Sequence, residues 1–97
     1  MTEHLTTLGI QIVPKSKNLD TYQLVDAAIE VISRSGITYQ ITPFETVMEG
    51  PYPQLMEIAE QAQKAVLDAG ADECLVYYRI HYRKDADVTF AEKRLDR

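Results

Sequence analysis

Tryptophan is absent from this 97-residue chain, and cysteine occurs once, at Cys74. A single cysteine excludes an intrachain disulfide and a CxxC metal or redox motif. It leaves Cys74, alternating with Val76, as a small buried hydrophobe. There are four glycines, and none of them forms a glycine-rich phosphate loop. No stretch approaches the roughly 18 apolar residues of a membrane-spanning helix. Positive charge is also scarce. Ten Lys and Arg against fifteen Asp and Glu give a formal net charge of −5, which argues against a nucleic-acid partner, because counterion release needs clustered cations. The densest basic group, Arg79, His81, Arg83 and Lys84, is followed at once by Asp85 and Asp87.

What is present suits one compact domain over residues 1–97, with 45% hydrophobic and 26% charged residues. A domain this small gains usefully from burial against a copy of itself. The opening "MTEHLTTLGIQIV" lacks a basic region followed by a long apolar run, so a signal peptide is not expected and a cytoplasmic protein is.

Hydrophobic periodicity gives the elements. Leu8, Ile10 and Ile12 alternate as in a strand, which Pro14 is expected to end. Tyr22, Val25, Ala28, Ile29 and Ile32 then recur at helical spacing, predicting a helix over about 20–35. Asp20 and Gln23 suit a capping box, Ser16 and Asn18 are further candidate caps, and Gly36 suits a left-handed C-terminal cap. "YQITPFETVMEG", residues 39–50, reads as two short strands broken by Pro43. Pro53 fits the first turn of a second helix whose face is Leu55, Ile58, Ala59, Ala62, Val66 and Ala69, closed by Gly70. Glu73 to Tyr82, rich in Val, Ile and Tyr, reads as a long strand. The tail, 84–97, is expected either to fray or to add a short helix from about Thr89, with Phe90 and Leu95 docking on a neighbour.

The order is βαββαβ. Right-handed crossovers place both helices on one face of a four-stranded antiparallel sheet, the α+β ferredoxin-like sandwich. The last strand is apolar on both faces: Cys74, Val76, Tyr78 and Ile80 point one way, Leu75 and Tyr77 the other. An apolar outer face predicts sheet-to-sheet association into a homo-oligomer, or a ligand.

Catalytic and metal signals are weak. His4 lies near a terminus expected to fray and His81 near a strand end, neither beside a nucleophile motif. Asp85 and Asp87 near His81 read as a solvated acidic turn. No catalytic residue, metal site or cofactor is expected. Binding remains, since Tyr39, Thr42, Phe44, Glu45, Thr46, Glu49, Tyr77, Tyr78 and Tyr82 supply flat aromatic area and carboxylates suited to a cationic heteroaromatic molecule. The same residues also suit a subunit interface.

Three stretches, "QIVPKS", "GITYQITPFETVMEG" and "AVLDAGADECLVYYRIHYRKD", resemble the small thiamine-binding-protein family, with matching element order from about Leu8 to Lys93. The most distinctive piece combines Gly36 and Tyr39 with Thr42, Pro43, Thr46, Glu49 and Gly50. The chain departs from the family's "TPMGT" pattern by Phe44 in place of Met and Glu45 in place of Gly. The resemblance implies a ferredoxin-like domain pairing sheet to sheet into dimers or tetramers. It also implies non-catalytic binding of thiamine or its hydroxymethylpyrimidine part. On it, together with side-chain chemistry, the expected ligand-binding residues are Gln11, Thr42, Phe44, Thr46, Glu49 and Tyr78. Gln11, Thr42 and Thr46 would hydrogen-bond an aminopyrimidine edge, Phe44 and Tyr78 would pack on its rings, and Glu49 would balance a thiazolium charge. Glu45, bulky and charged at a turn, is expected to reshape or obstruct the pocket. The alternative is a structural or regulatory protein-interaction module acting through the sheet surface.

Overall fold

A computed structural model describes residues 4–93. The elements run β1 (Leu5–Lys15), α1 (Thr21–Arg34), β2 (Thr38–Ile41), β3 (Thr46–Pro51), α2 (Tyr52–Asp68) and β4 (Glu73–His81), with a short 3-10 turn at Ala91–Lys93. All strand pairs are antiparallel, in the order β2-β3-β1-β4. Both helices pack on one face of the sheet, so the expected ferredoxin-like architecture is what the chain adopts.

The core lies between the sheet and the helices. Alternation along β1 sends Leu8 and Ile10 into it, and the register sets Leu8 beside Met48 and Ile80, and Ile10 beside Thr46 and Tyr78. From α2 it receives Leu55, Ile58, Ala59, Ala62 and Val66, the expected face except for Ala69, which caps the helix. From α1 it receives Leu24, Ala28 and Ile32. That face is rotated from the expected one: Leu24 is buried, whereas Tyr22 is 78% exposed at the first turn.

Helix ends follow local chemistry only in part. Gly36 and Gly70 have φ of 80° and 122°, values that L side chains rarely adopt, so each glycine is required where its helix turns off. The capping box does not form. Asp20 is the N-cap of α1 without a side-chain bond. The Ser16 hydroxyl organises the approach instead, accepting from the amides of Asn18 and Leu19 at 3.3 and 3.2 Å.

Pro14 does not end β1, which continues to Lys15 paired with β4. β3 pairs with β1 only as far as Ile10, so beyond that point β1 is an edge on its β3 side. The Lys15 carbonyl accepts from Asp72 N–H at 2.8 Å, on the β4 side. The peptide groups of Pro14 therefore face the vacated edge, where no donor is needed.

The tail adds the expected short helix as a 3-10 helix at Ala91–Lys93 and, beyond that expectation, straps the outer face of its own sheet. Val88 is fully buried, its amide donating to Leu5 O at 2.8 Å. The Leu5 amide donates to Asp87 Oδ1 at 2.7 Å, and the Phe90 amide to Glu49 Oε2 at 2.7 Å. Arg83 holds the strap in shape through a two-pronged pair with Glu92, at 2.8 and 2.5 Å, and a bond to Asp87 O at 2.7 Å. His4 is likewise pinned, bonded to Arg83 O at 2.6 Å and stacked on Tyr82, which stacks on Tyr52. Leu95, expected to dock on a neighbour, lies outside the described residues.

Candidate ligand-binding site

A cavity of about 350 Å³ opens between the first half of α1 and the β2–β3 turn. This is at the lower end of the roughly 300–1,000 Å³ usual for small-molecule sites. β1 supplies a floor of Ile10 and Ile12 with Gln11 at its border, α1 a wall from Thr21 to Ile29, and the hairpin the opposite wall from Ile41 to Thr46.

Four of the six expected residues meet here: Gln11, Thr42, Phe44 and Thr46. Thr46 is 7% exposed and lies opposite Ile10, on the helix side of the sheet. Phe44, 80% exposed, borders the cavity from the turn, as the equally open Tyr22 does from α1. Gln11 pairs with Tyr77 in β4, and alternation directs its side chain to the sheet face opposite Ile10 and Ile12. Thr42 already has a structural task. Its hydroxyl donates to Glu45 O at 2.6 Å and accepts from the amides of Glu45 and Phe44 at 3.0 and 3.3 Å. Together with the Thr42 N–H to Glu45 O bond, this closes the turn that positions Phe44.

The other two residues lie elsewhere. Glu49 is on the outer face, its carboxylate holding the Phe90 amide of the tail. Tyr78 is on the helix side of β4, where its hydroxyl donates to Gln63 Oε1 of α2 at 2.7 Å. Partial burial, and secondarily the Glu60 carboxylate, raise its pKa above the ordinary 10.0.

Among the residues bordering the cavity that the sequence did not mark as ligand-binding are Tyr22 and Asp26. They are one turn apart on α1, hence on one strip of the helix. The signal that could have found them is a charged residue, Asp26, interrupting the outer margin of an otherwise apolar face.

Glu45 does not plug the cavity. Its carboxylate turns across the outer face of the sheet and lies over Gly9, where a Cβ would meet Oε1 at 2.5 Å. There it is 3.8 Å from Arg79. No described non-glycine residue has positive φ, so the turn takes Glu at this position without backbone strain. Among the described residues there is no group of three or more His, Cys, Asp or Glu placed to hold a metal ion, and no helix is long and apolar enough to cross a membrane.

A ferredoxin-like sandwich with a small-molecule-sized cavity against its β2–β3 hairpin defines the structural class. Residues 8–96 match the profile of the thiamine-binding protein family, and the chain belongs to that family. Over 94% of its length it superposes on a domain of unknown function, DUF77, from Bacillus cereus, with 40% identity, a TM-score of 0.91 and 88% of that chain covered. A Thermotoga maritima protein assigned provisionally to thiamine biosynthesis or salvage is 27% identical, with a TM-score of 0.82 and 92% and 94% of the two chains covered. A UPF0045 protein of Clostridium perfringens is 34% identical over 86 residues, 89% of this chain and 90% of that one.

Proposed function

We propose that this protein binds, without transforming it, a small heteroaromatic molecule of the thiamine or hydroxymethylpyrimidine type in the cavity between α1 and the β2–β3 turn. One observation carries the reading: the cavity gathers Thr46 and Phe44 beside Tyr22 and Asp26. Tyr22 and Phe44, both highly exposed at its rim, offer two aromatic faces between which a planar ring can stack. Thr46, buried at the back, is the group to hydrogen-bond a pyrimidine edge. Asp26 takes the charge-balancing role, since Glu49 is engaged by the tail. Thr42 acts by holding the turn; Gln11, whose side chain points to the other face of the sheet, does not take the expected hydrogen-bonding role.

Calorimetry with thiamine and with hydroxymethylpyrimidine tests this reading. Saturable binding is expected, weakened about tenfold by Thr46→Val, the loss of one hydrogen bond in a desolvated site. No heat at millimolar ligand from a folded protein would refute it.

A second reading, a protein-interaction module, is favoured by Leu75 and Tyr77, which remain 46% and 52% exposed on the outer sheet face. The strap leaves this end of the sheet open, and a second copy laid sheet to sheet would cover it. Light scattering should then give a dimer or tetramer that Tyr77→Glu dissociates, whereas a monomeric wild type would rule out the pairing.

A further inference from the structure

We propose that the outer sheet face carries an oxyanion site, suited to a phosphate group, formed by Arg79, His81 and Lys93 around the hollow beside Gly9. It lies across the sheet from the cavity of the preceding section and stands independently of it.

The hollow follows from the strand register. Gly9 in the central strand β1 is flanked by Val47 of β3 and Arg79 of β4. Lacking a side chain, Gly9 leaves room on the outer face that the Glu45 carboxylate occupies, and the hollow opens beside that carboxylate towards β4 and the strap. Arg79 and His81 are two residues apart on β4, so both stand on this face. The strap delivers the third group: Lys93 Nζ lies 2.6 Å from His81 Nδ1, and both border the hollow.

The chemistry of that contact fixes what the site can bind. Both groups can donate N–H bonds to an oxyanion, the Lys93 ammonium and a ring nitrogen of His81. The Arg79 guanidinium is 76% exposed and meets Glu45 only at 3.8 Å, beyond hydrogen-bond length. Most of its five N–H groups are thus available to a further partner. Two full positive charges and three sets of donors surround the hollow, against one carboxylate. This balance opposes the chain's overall net charge of −5. A tetrahedral, multiply accepting oxyanion uses such donors better than a single carboxylate does.

The test is titration of the full chain with inorganic pyrophosphate, phosphate and acetate at low ionic strength, followed by calorimetry and by ³¹P NMR for the phosphorus compounds. Saturable binding is expected for pyrophosphate and phosphate, tighter than for acetate and weakened by added salt. Arg79→Gln and Lys93→Gln should each weaken it about tenfold. Glu45→Gln, which removes the opposing charge and keeps the shape, should tighten it severalfold. Lys84→Gln removes a lysine outside the hollow and should leave it unchanged. Circular dichroism melting of each variant separates loss of the site from loss of the fold. Absence of saturable binding, or equal weakening by Lys84→Gln and Lys93→Gln in folded variants, would overturn the assignment. So would acetate binding as tightly as phosphate.

Discussion

On the helix side of the sheet, Leu8 and Met48 are completely buried and Ile10 is 3% exposed, while on the outer side Leu75 and Tyr77 keep about half their surface. The inner face is held by continuous apolar contact with two helices. The outer face is held in patches: a strap with buried Val88 at one end, the Glu45–Arg79 contact over Gly9 in the middle, and open aromatic and aliphatic surface at the other end. One sheet thus combines a face that specifies the fold with a face left available for recognition. The difference arises because the helices cover the centre of the inner face and leave only its margins open, at Tyr39, Ile41 and Ile80, whereas a tail of a few residues reaches only part of the outer one.

Matched truncations on the two faces should therefore differ in size. Leu8→Ala leaves a cavity between fixed elements and should destabilise by about 2–5 kcal/mol in denaturant unfolding. Val88→Ala, equally buried but on a strap that can shift, should cost about 1–2 kcal/mol, near the transfer value of two methylene-sized groups. Equal losses would show that the strap is as integral to the core as β1 is.

A smaller effect of opposite sign is expected at Thr6. This residue is fully buried on the inner face, and its hydroxyl has no hydrogen-bond partner among the described residues. A desolvated hydroxyl left unpaired is unfavourable. Thr6→Val keeps the shape and removes the polar atom, so a gain of about 1 kcal/mol is expected from the same unfolding measurement. Destabilisation instead would indicate that the hydroxyl has a partner, such as an internal water.

This contrast also explains what could be read from sequence. Alternation in β1 and β4 and the spacing in α2 are consequences of one apolar side, and they gave the architecture and most of the core. The family resemblance and side-chain chemistry together place Glu49 and Tyr78 among the ligand-binding residues. Period and composition do not say that the tail would claim the Glu49 carboxylate or that Gln63 would claim the Tyr78 hydroxyl. Pro14 reads as a strand stop until the shorter span of β3 is known, because only then is its side of β1 an open edge. Tyr22 fits the helical period of α1, yet at the first turn it overhangs the sheet and lies open beside the cavity.

The strap supplies the most delicate test of the difference between the faces, because charged contacts help to hold it. Glu92 accepts both prongs of Arg83 and the Thr89 amide at 3.1 Å. The hydrogen bonds from Arg83, then that from Thr89, lower its pKa from the ordinary 4.5 to about 2. A carboxyl whose folded value is depressed contributes its full stabilisation above its unfolded value and loses it as the pH falls through the folded one. The contribution of Glu92 should therefore be intact at neutral pH and fade as the pH falls from about 4.5 towards 2. The side chain is solvent-accessible, so screening keeps the effect on global stability small, and a local probe is the better readout. The Thr89 amide resonance should titrate with a midpoint near 2, and exchange of the Val88 amide should quicken over the same window. Glu92→Gln should abolish that Thr89 titration and speed Val88 exchange already at neutral pH, while leaving the amides of Leu8 and Ile10 protected. Parallel loss of protection on both faces would mean that the strap and the core open as one unit.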